Sequence, residues 1–166
     1  MNKQELIQLL NTLTLDDKIT MIHGASMFQT GAVTEKNVPA FTFDDGPMGS
    51  RKEYQRDAWI PIGGNDDATS YLPSNSALAA TFNRKCALES GTILGREARG
   101  RGKDMILAPG INIHRSPLGG RNFEYMSEDP YLTAHMGEKF IEGIQGDDEK
   151  FLKAAACVKH MAVHSG

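Results

Sequence analysis

The chain has 166 residues, 40% of them hydrophobic and 23% charged, with 17 Gly, 7 Pro, 2 Cys and a formal net charge of -3. That is enough for one globular domain with a core, and it excludes intrinsic disorder and a collagen-like fibre. The acidic balance lacks the electrostatic footprint of a nucleic-acid binder, and no apolar stretch reaches the roughly 18 residues needed to cross a bilayer.

The amino end, MNKQELIQLLNTLTLDDK, carries acids and amides where an export signal would have a continuous apolar segment, so a cytoplasmic location is favoured. Leu6, Ile7, Leu9 and Leu10 fall at helical spacing. Thr14, followed three residues later by Asp17, resembles the cap of a second helix that carries Ile19 and Ile22 and stops at Gly24. Residues 25–38 read as irregular. PAFTFDDGP then reads as a short strand that runs into a loop at Asp44, Asp45, Gly46 and Pro47.

Residues 49–74 are polar and rich in Gly, Pro and Asp, a loop longer than the roughly 12 to 15 residues beyond which loops tend to be functional or disordered. A long helix is predicted from Arg84 to about Arg99, capped near Asn83 and ended by Gly100 and Gly102. DMILAPGINI follows as a strand covered on both faces. After the irregular HRSPLGGRNFEYMSEDP, a helix runs from about Tyr131 to Gln145, with Asp129 and Pro130 as its start signal. AAACVKHMAVHS reads as a further buried strand.

Strand, loop, helix, strand, loop, helix, strand is the pattern of an α/β protein with a parallel sheet, whose ligands bind beyond the carboxyl ends of the strands. Asp44 and Asp45 end one strand, Asn112, His114 and Arg115 the next, and Lys159, His160 and His164 fall on or after the last. Such a rim of fixed donors and acceptors suits a neutral polyhydroxylated ligand. Phosphate is disfavoured, because GGRNFE holds neither GxGxxG nor GxxxxGK[ST]. No GxSxG elbow and no HExxH pair is present, so serine catalysis and a zinc centre are disfavoured, and no cofactor or metal is expected. Cys86 and Cys157 form no CxxC pair and read as small buried hydrophobes, and Arg96, Arg99, Arg101 and Lys103 read as a solvated basic face. The remaining chemistry is carboxylate-based, with Asp44, Asp45, Glu124, Glu128 and Asp129 available and no spacing that pairs them.

The segments FDDGPMGSR, YLPSNSALAATFN, GREARGRGKDMILAPGINIHRSPLGGRNFEYMSEDPYL and ACVKHMAVHSG, in that order, resemble the amino-terminal barrel domain of glycoside hydrolase family three, the β-glucosidase and β-xylosidase family. The likeness runs from about Leu13 to Gly166, and GRNFEYMSEDP with DGP and VKH is its most specific part. The resemblance implies an α/β fold, the N-terminal part of a (β/α)8 TIM-like barrel truncated after about half the barrel, so that residues 1–166 form a partial domain. The rest of the barrel and an α/β sandwich domain are expected elsewhere.

By the same resemblance, Asp45 of DGP grips two hydroxyls of the non-reducing terminal sugar. Arg51 helps to line that subsite, and Arg121, Lys159 and His160 complete it. Met161 stands where the family usually has Phe. Each has a structural alternative: Arg121 could pair with Glu124 or Glu128 to shape the loop, and Asp44 could hold a turn. The family's catalytic Asp nucleophile and Glu acid/base are expected downstream of Gly166, so binding residues and no catalytic pair are assigned here. The implied activity is hydrolysis of terminal β-linked glucosyl residues with retention, on a β-linked oligosaccharide or glycoside. The alternatives are a β-xylosidase of the same family and a non-catalytic sugar-binding fragment.

Overall fold

Three short parallel strands order the part of the molecule that carries the candidate residues. The computed structural model describes residues 1–51 and 68–161. These fall into two compact units, 1–42 in the first and 43–51 with 68–161 in the second.

The first unit opens with α1 (Lys3–Thr12) and α2 (Leu15–Ile22), each started by a capping box. Asn2 exchanges hydrogen bonds with Glu5, and Thr14 with Asp17, so amides that the first turn leaves orphaned find oxygen partners. Asp17 also accepts from Lys36 Nζ at 2.9 Å. The Thr14 amide first, then Lys36 and the Thr14 hydroxyl, hold its carboxyl below the ordinary range. The second helix ends at Ile22, two residues before Gly24, with the His23 ring bonded to the Ile19 carbonyl oxygen.

In the second unit, β1 (Phe43–Asp45), β2 (Met105–Leu107) and β3 (Ala155–Ala156) lie side by side in chain order, all parallel. Phe43 is opposite Met105, Asp45 opposite Leu107, and Met105 opposite Ala155. The connections are helical: α3 (Asn75–Ala80) and α4 (Arg84–Gly100) between the first two strands, and α5 (Pro130–Gln145) between the last two. This is the parallel α/β arrangement that the alternation of strands and helices predicts. Strand β2 is shorter than its apolar run and ends at Leu107, two residues before Pro109, which has no N–H to give to a ladder.

The caps of α4 and α5 are the expected ones. Asn83 accepts from the Lys85 amide, and Asp129 from the Tyr131 and Leu132 amides. Helix α3, absent from the sequence reading, starts where Ser74 accepts from the Ala77 amide, and it is separated from α4 by Phe82 at φ 53°. The core gathers Leu94, Ile106, Met136, Phe140 and Ile144 between the helix pair and the sheet. Two expectations about exposure are corrected. Arg96 and Arg99 are exposed, but Lys103, in the turn that folds back on α4 with its amide donating to the Ala98 carbonyl, is 4% exposed, so the basic run is not one solvated face. Cys86 and Cys157 are half-buried, the first packed against the core. Among the described residues no helix is long and apolar enough to cross a membrane.

Candidate functional site

The rim begins with the turn after β1. Asp44 is fully buried and is spent on that turn: its Oδ1 accepts from the Asp45 amide at 2.9 Å and its Oδ2 from the Ser50 hydroxyl. The turn-holding alternative for Asp44 is the one observed. Gly46 sits at φ 131°, and a Cβ there would fall 1.9 Å from the Gly49 carbonyl oxygen, so only glycine lets the turn close. Asp45 is therefore presented at the strand end with its side chain a quarter exposed.

Opposite it stands Lys159. After β3 the chain keeps pairing with the segment after β2: the Lys159 amide donates to the Pro109 carbonyl, the Ile111 amide to the Lys159 carbonyl, and Gly110 bridges both Tyr125 and Lys159. This ladder brings Lys159 Nζ to 2.9 Å from Asp45 Oδ1 across 114 residues of chain. A second carboxylate, Glu124 Oε2, lies 3.6 Å from the same ammonium.

Glu124 belongs to a single 3-10 turn, Asn122–Glu124, whose threefold repeat stacks residue 124 over residue 121. Its Oε1 accepts from Arg121 Nε. That bond raises the Arg121 guanidinium further above its ordinary value, with burial opposing. Of the two acids that sequence spacing left open for Arg121, the structure selects Glu124; Glu128 is exposed at the start of α5. The Arg121 fork also reaches His160, its NH2 group standing 3.0 Å from Nε2. Arginine has no acceptor, so Nε2 offers its lone pair and the ring proton sits on Nδ1. That Nδ1 is 2.7 Å from the Tyr125 hydroxyl, in an edge contact with ring centroids 5.8 Å apart. The His160 amide donates to Asn112 Oδ1 at 2.6 Å.

Four of the five expected residues, Asp45, Arg121, Lys159 and His160, thus form one continuous polar chain. Arg51 is joined to it through the backbone, its amide donating to the Asp45 carbonyl at 3.1 Å. His114 is turned to structural use, its Nε2 against the Asn122 carbonyl at 2.9 Å. His164 and residues 52–67 of the long loop lie outside the described residues. Beside the polar chain opens a cavity of about 400 Å³, whose lining includes the polar Asn112, Arg115, Lys159 and His160 and the apolar Ile111 and Val158.

Tyr125 was missed as a member, although its place in NFEY beside Glu124 was a usable signal. It is 3% exposed. Burial first, then the Glu124 charge, push its phenol above the ordinary value, with Arg121 opposing. The native state therefore holds this proton where an unfolded tyrosine gives its own up, near pH ~10. The stability it contributes is complete below that pH and is lost as pH rises through the higher native value. In an alkaline absorbance titration, Tyr125→Phe should remove a tyrosine that ionises above the ordinary range. If the Phe variant loses an early-ionising one instead, the assignment is wrong.

The family model for the glycosyl hydrolase family 3 N terminal domain matches residues 62–166. A β-glucosidase of Bacteroides ovatus is 38% identical over 156 residues, 94% of this chain and 20% of that protein. The thermostable β-glucosidase B of Acetivibrio thermocellus is 34% identical over 161 residues, 97% of this chain and 20% of its own length. Among solved structures, β-glucosidase 3B of Thermotoga neapolitana in complex with α-D-glucose superposes with a TM-score of 0.81 at 35% identity, over 94% of this chain and 23% of that one. The chain thus spans about a fifth of the length of the relatives it matches.

Proposed function

Since the chain belongs to glycosyl hydrolase family 3, within that family's N-terminal domain, we propose that its rim holds the terminal sugar of a β-linked glucoside. The whole enzyme cleaves that glucoside with retention of configuration. The observation that carries this reading is the Asp45–Lys159 pair at 2.9 Å at the mouth of a parallel sheet, continued by Arg121 and His160. Asp45 Oδ2 has no partner among the described residues and can accept from sugar hydroxyls, while the Lys159 ammonium and the Arg121 fork keep further donors. Arg51 lines the same subsite from the turn after β1. The three strands are the first part of the family's barrel, whose ligands sit at the carboxyl ends of strands.

No residue of this chain is assigned as nucleophile or acid/base. Asp45 is held by Lys159, and Glu124 is buried between Arg121 and Lys159, so neither is placed to attack an anomeric carbon or to deliver a proton to a leaving group. The pair belongs to the remainder of the family's length. The rim acts by binding: hydrogen bonds to the sugar hydroxyls that tighten as charge develops at the anomeric carbon lower the barrier without exchanging a proton.

The naming of the relatives as β-glucosidases favours glucose over xylose. The test is to assay the protein expressed from its complete reading frame against aryl β-glucosides and aryl β-xylosides. Faster glucoside cleavage, with the β-anomer as first product by NMR, is expected. Xyloside preference would replace the substrate assignment, and failure to cleave either would overturn the hydrolase reading.

A further inference from the structure

We propose that Glu124 is the positioning carboxylate of the rim, the residue that fixes Arg121 and Lys159 at the separation the sugar requires; this rests on the sugar-binding reading above. Glu124 is only 5% exposed, too buried to meet a ligand itself. Its two oxygens are divided between two cations, Oε1 bonded to Arg121 Nε and Oε2 3.6 Å from Lys159 Nζ. Arg121 precedes it by three residues and Lys159 follows it by 35, so one carboxylate ties the segment after β2 to the segment after β3.

The turn that carries it is anchored from behind. Asn75, fully buried on α3, donates its Nδ2 to the Glu124 carbonyl at 2.7 Å. Ser76 Oγ donates to the Asn122 and Tyr125 carbonyls at 2.8 and 3.0 Å. Glu124 is therefore fixed at its backbone and shared at its carboxylate, the arrangement of a group that aims others.

Its charge also decides what Asp45 can do. Two carboxylates face two cations across Asp45, Lys159, Glu124 and Arg121. With Glu124 neutral, Asp45 alone would balance Lys159, and the acceptor capacity it keeps for a sugar would be drawn onto the ammonium. Loss of Glu124 thus damages the site twice, by loosening Arg121 and by engaging Asp45.

The test is a double-mutant cycle in the complete enzyme, with an aryl β-glucoside as substrate. Glu124→Gln should lower kcat/KM roughly ten- to hundredfold while the thermal midpoint stays near that of the parent. In a Lys159→Ala background the same change should cost at least about threefold less than in the parent, because one of the two groups through which it acts is gone and only the loosening of Arg121 remains. An equal loss in both backgrounds would overturn the proposal and leave Glu124 a structural residue. So would a loss below about threefold in the parent. If the Gln variant does not fold, Glu124→Asp, which keeps the charge but cannot span both cations, replaces it in the same cycle with the same outcomes. Asp45→Ala run in parallel separates the two claims: if it is harmless, the sugar-binding reading fails; if it is costly and Glu124→Gln is not, only the positioning role fails.

Discussion

Asp45→Ala in the complete enzyme is expected to lower kcat/KM for an aryl β-glucoside by roughly a hundredfold or more, a loss of about 3 kcal/mol of transition-state stabilisation. The size follows from what the side chain does. Asp45 is the exposed member of the rim's two carboxylates and stands 2.9 Å from a Lys159 whose own side chain is 11% exposed. Truncation removes the acceptor of the sugar hydroxyls. It also leaves that ammonium with Glu124, at 3.6 Å, as its remaining carboxylate. Hydrogen bonds to charged groups are worth more than neutral ones, and an ammonium half stripped of its counter-charge is costly in a shielded site. Asp45→Asn should recover part of the loss, since it keeps the shape and an acceptor oxygen but gives up the charge. A loss below tenfold for the Ala variant would remove Asp45 from the sugar subsite.

The rim was legible in the sequence because strand ends are punctuated by local chemistry. DDGP stops β1 at the aspartate that matters, and VKH follows β3 after a single residue, Cys157. Helix starts were legible for the same reason: Thr14, Asn83 and Asp129 each bond an amide a few residues ahead, an interaction written entirely within the segment. The pairing of the acids was not legible, because Glu124 and Lys159 meet only through the ladder that joins Gly110 to both Tyr125 and Lys159, a contact between distant parts of the chain. The choice between Glu124 and Glu128 for Arg121 likewise turned on a 3-10 turn that the irregular segment did not announce. Helix α3 was hidden by its brevity. Its six residues make fewer than two helical turns, and its purpose, holding the Glu124 turn through Asn75 and Ser76, is tertiary.

Glycine in a helix usually weakens it, so replacement by alanine in an open position gains up to about 1 kcal/mol. At Gly91 the sign is expected to reverse: Gly91→Ala should destabilise the fold by about 3 kcal/mol in denaturant unfolding. A Cβ built on Gly91 would stand 2.1 Å from the Phe140 carbonyl oxygen and 2.9 Å from its carbon. On Gly95 it would stand 2.3 Å from the Ile144 oxygen, and on Gly143, from the facing helix, 2.3 Å from the Leu88 oxygen. These are backbone atoms, which no rotamer change can move aside, so the whole of α4 would have to lift from α5. Lifting it opens the layer of Leu94, Met136, Phe140 and Ile144, each at most 1% exposed, and lost packing there costs far more than helix propensity returns. Gly100, with nothing within 4 Å of its Cβ position, provides the contrast: Gly100→Ala should be neutral or slightly stabilising. Equal stability of the two variants would show that α4 and α5 do not meet backbone to backbone. The consequence reaches the rim, because α5 joins the Glu124 turn to β3 and so sets where Lys159 arrives. Gly91→Ala should therefore also weaken glucoside cleavage under conditions where the protein remains folded, whereas Gly100→Ala should leave it intact.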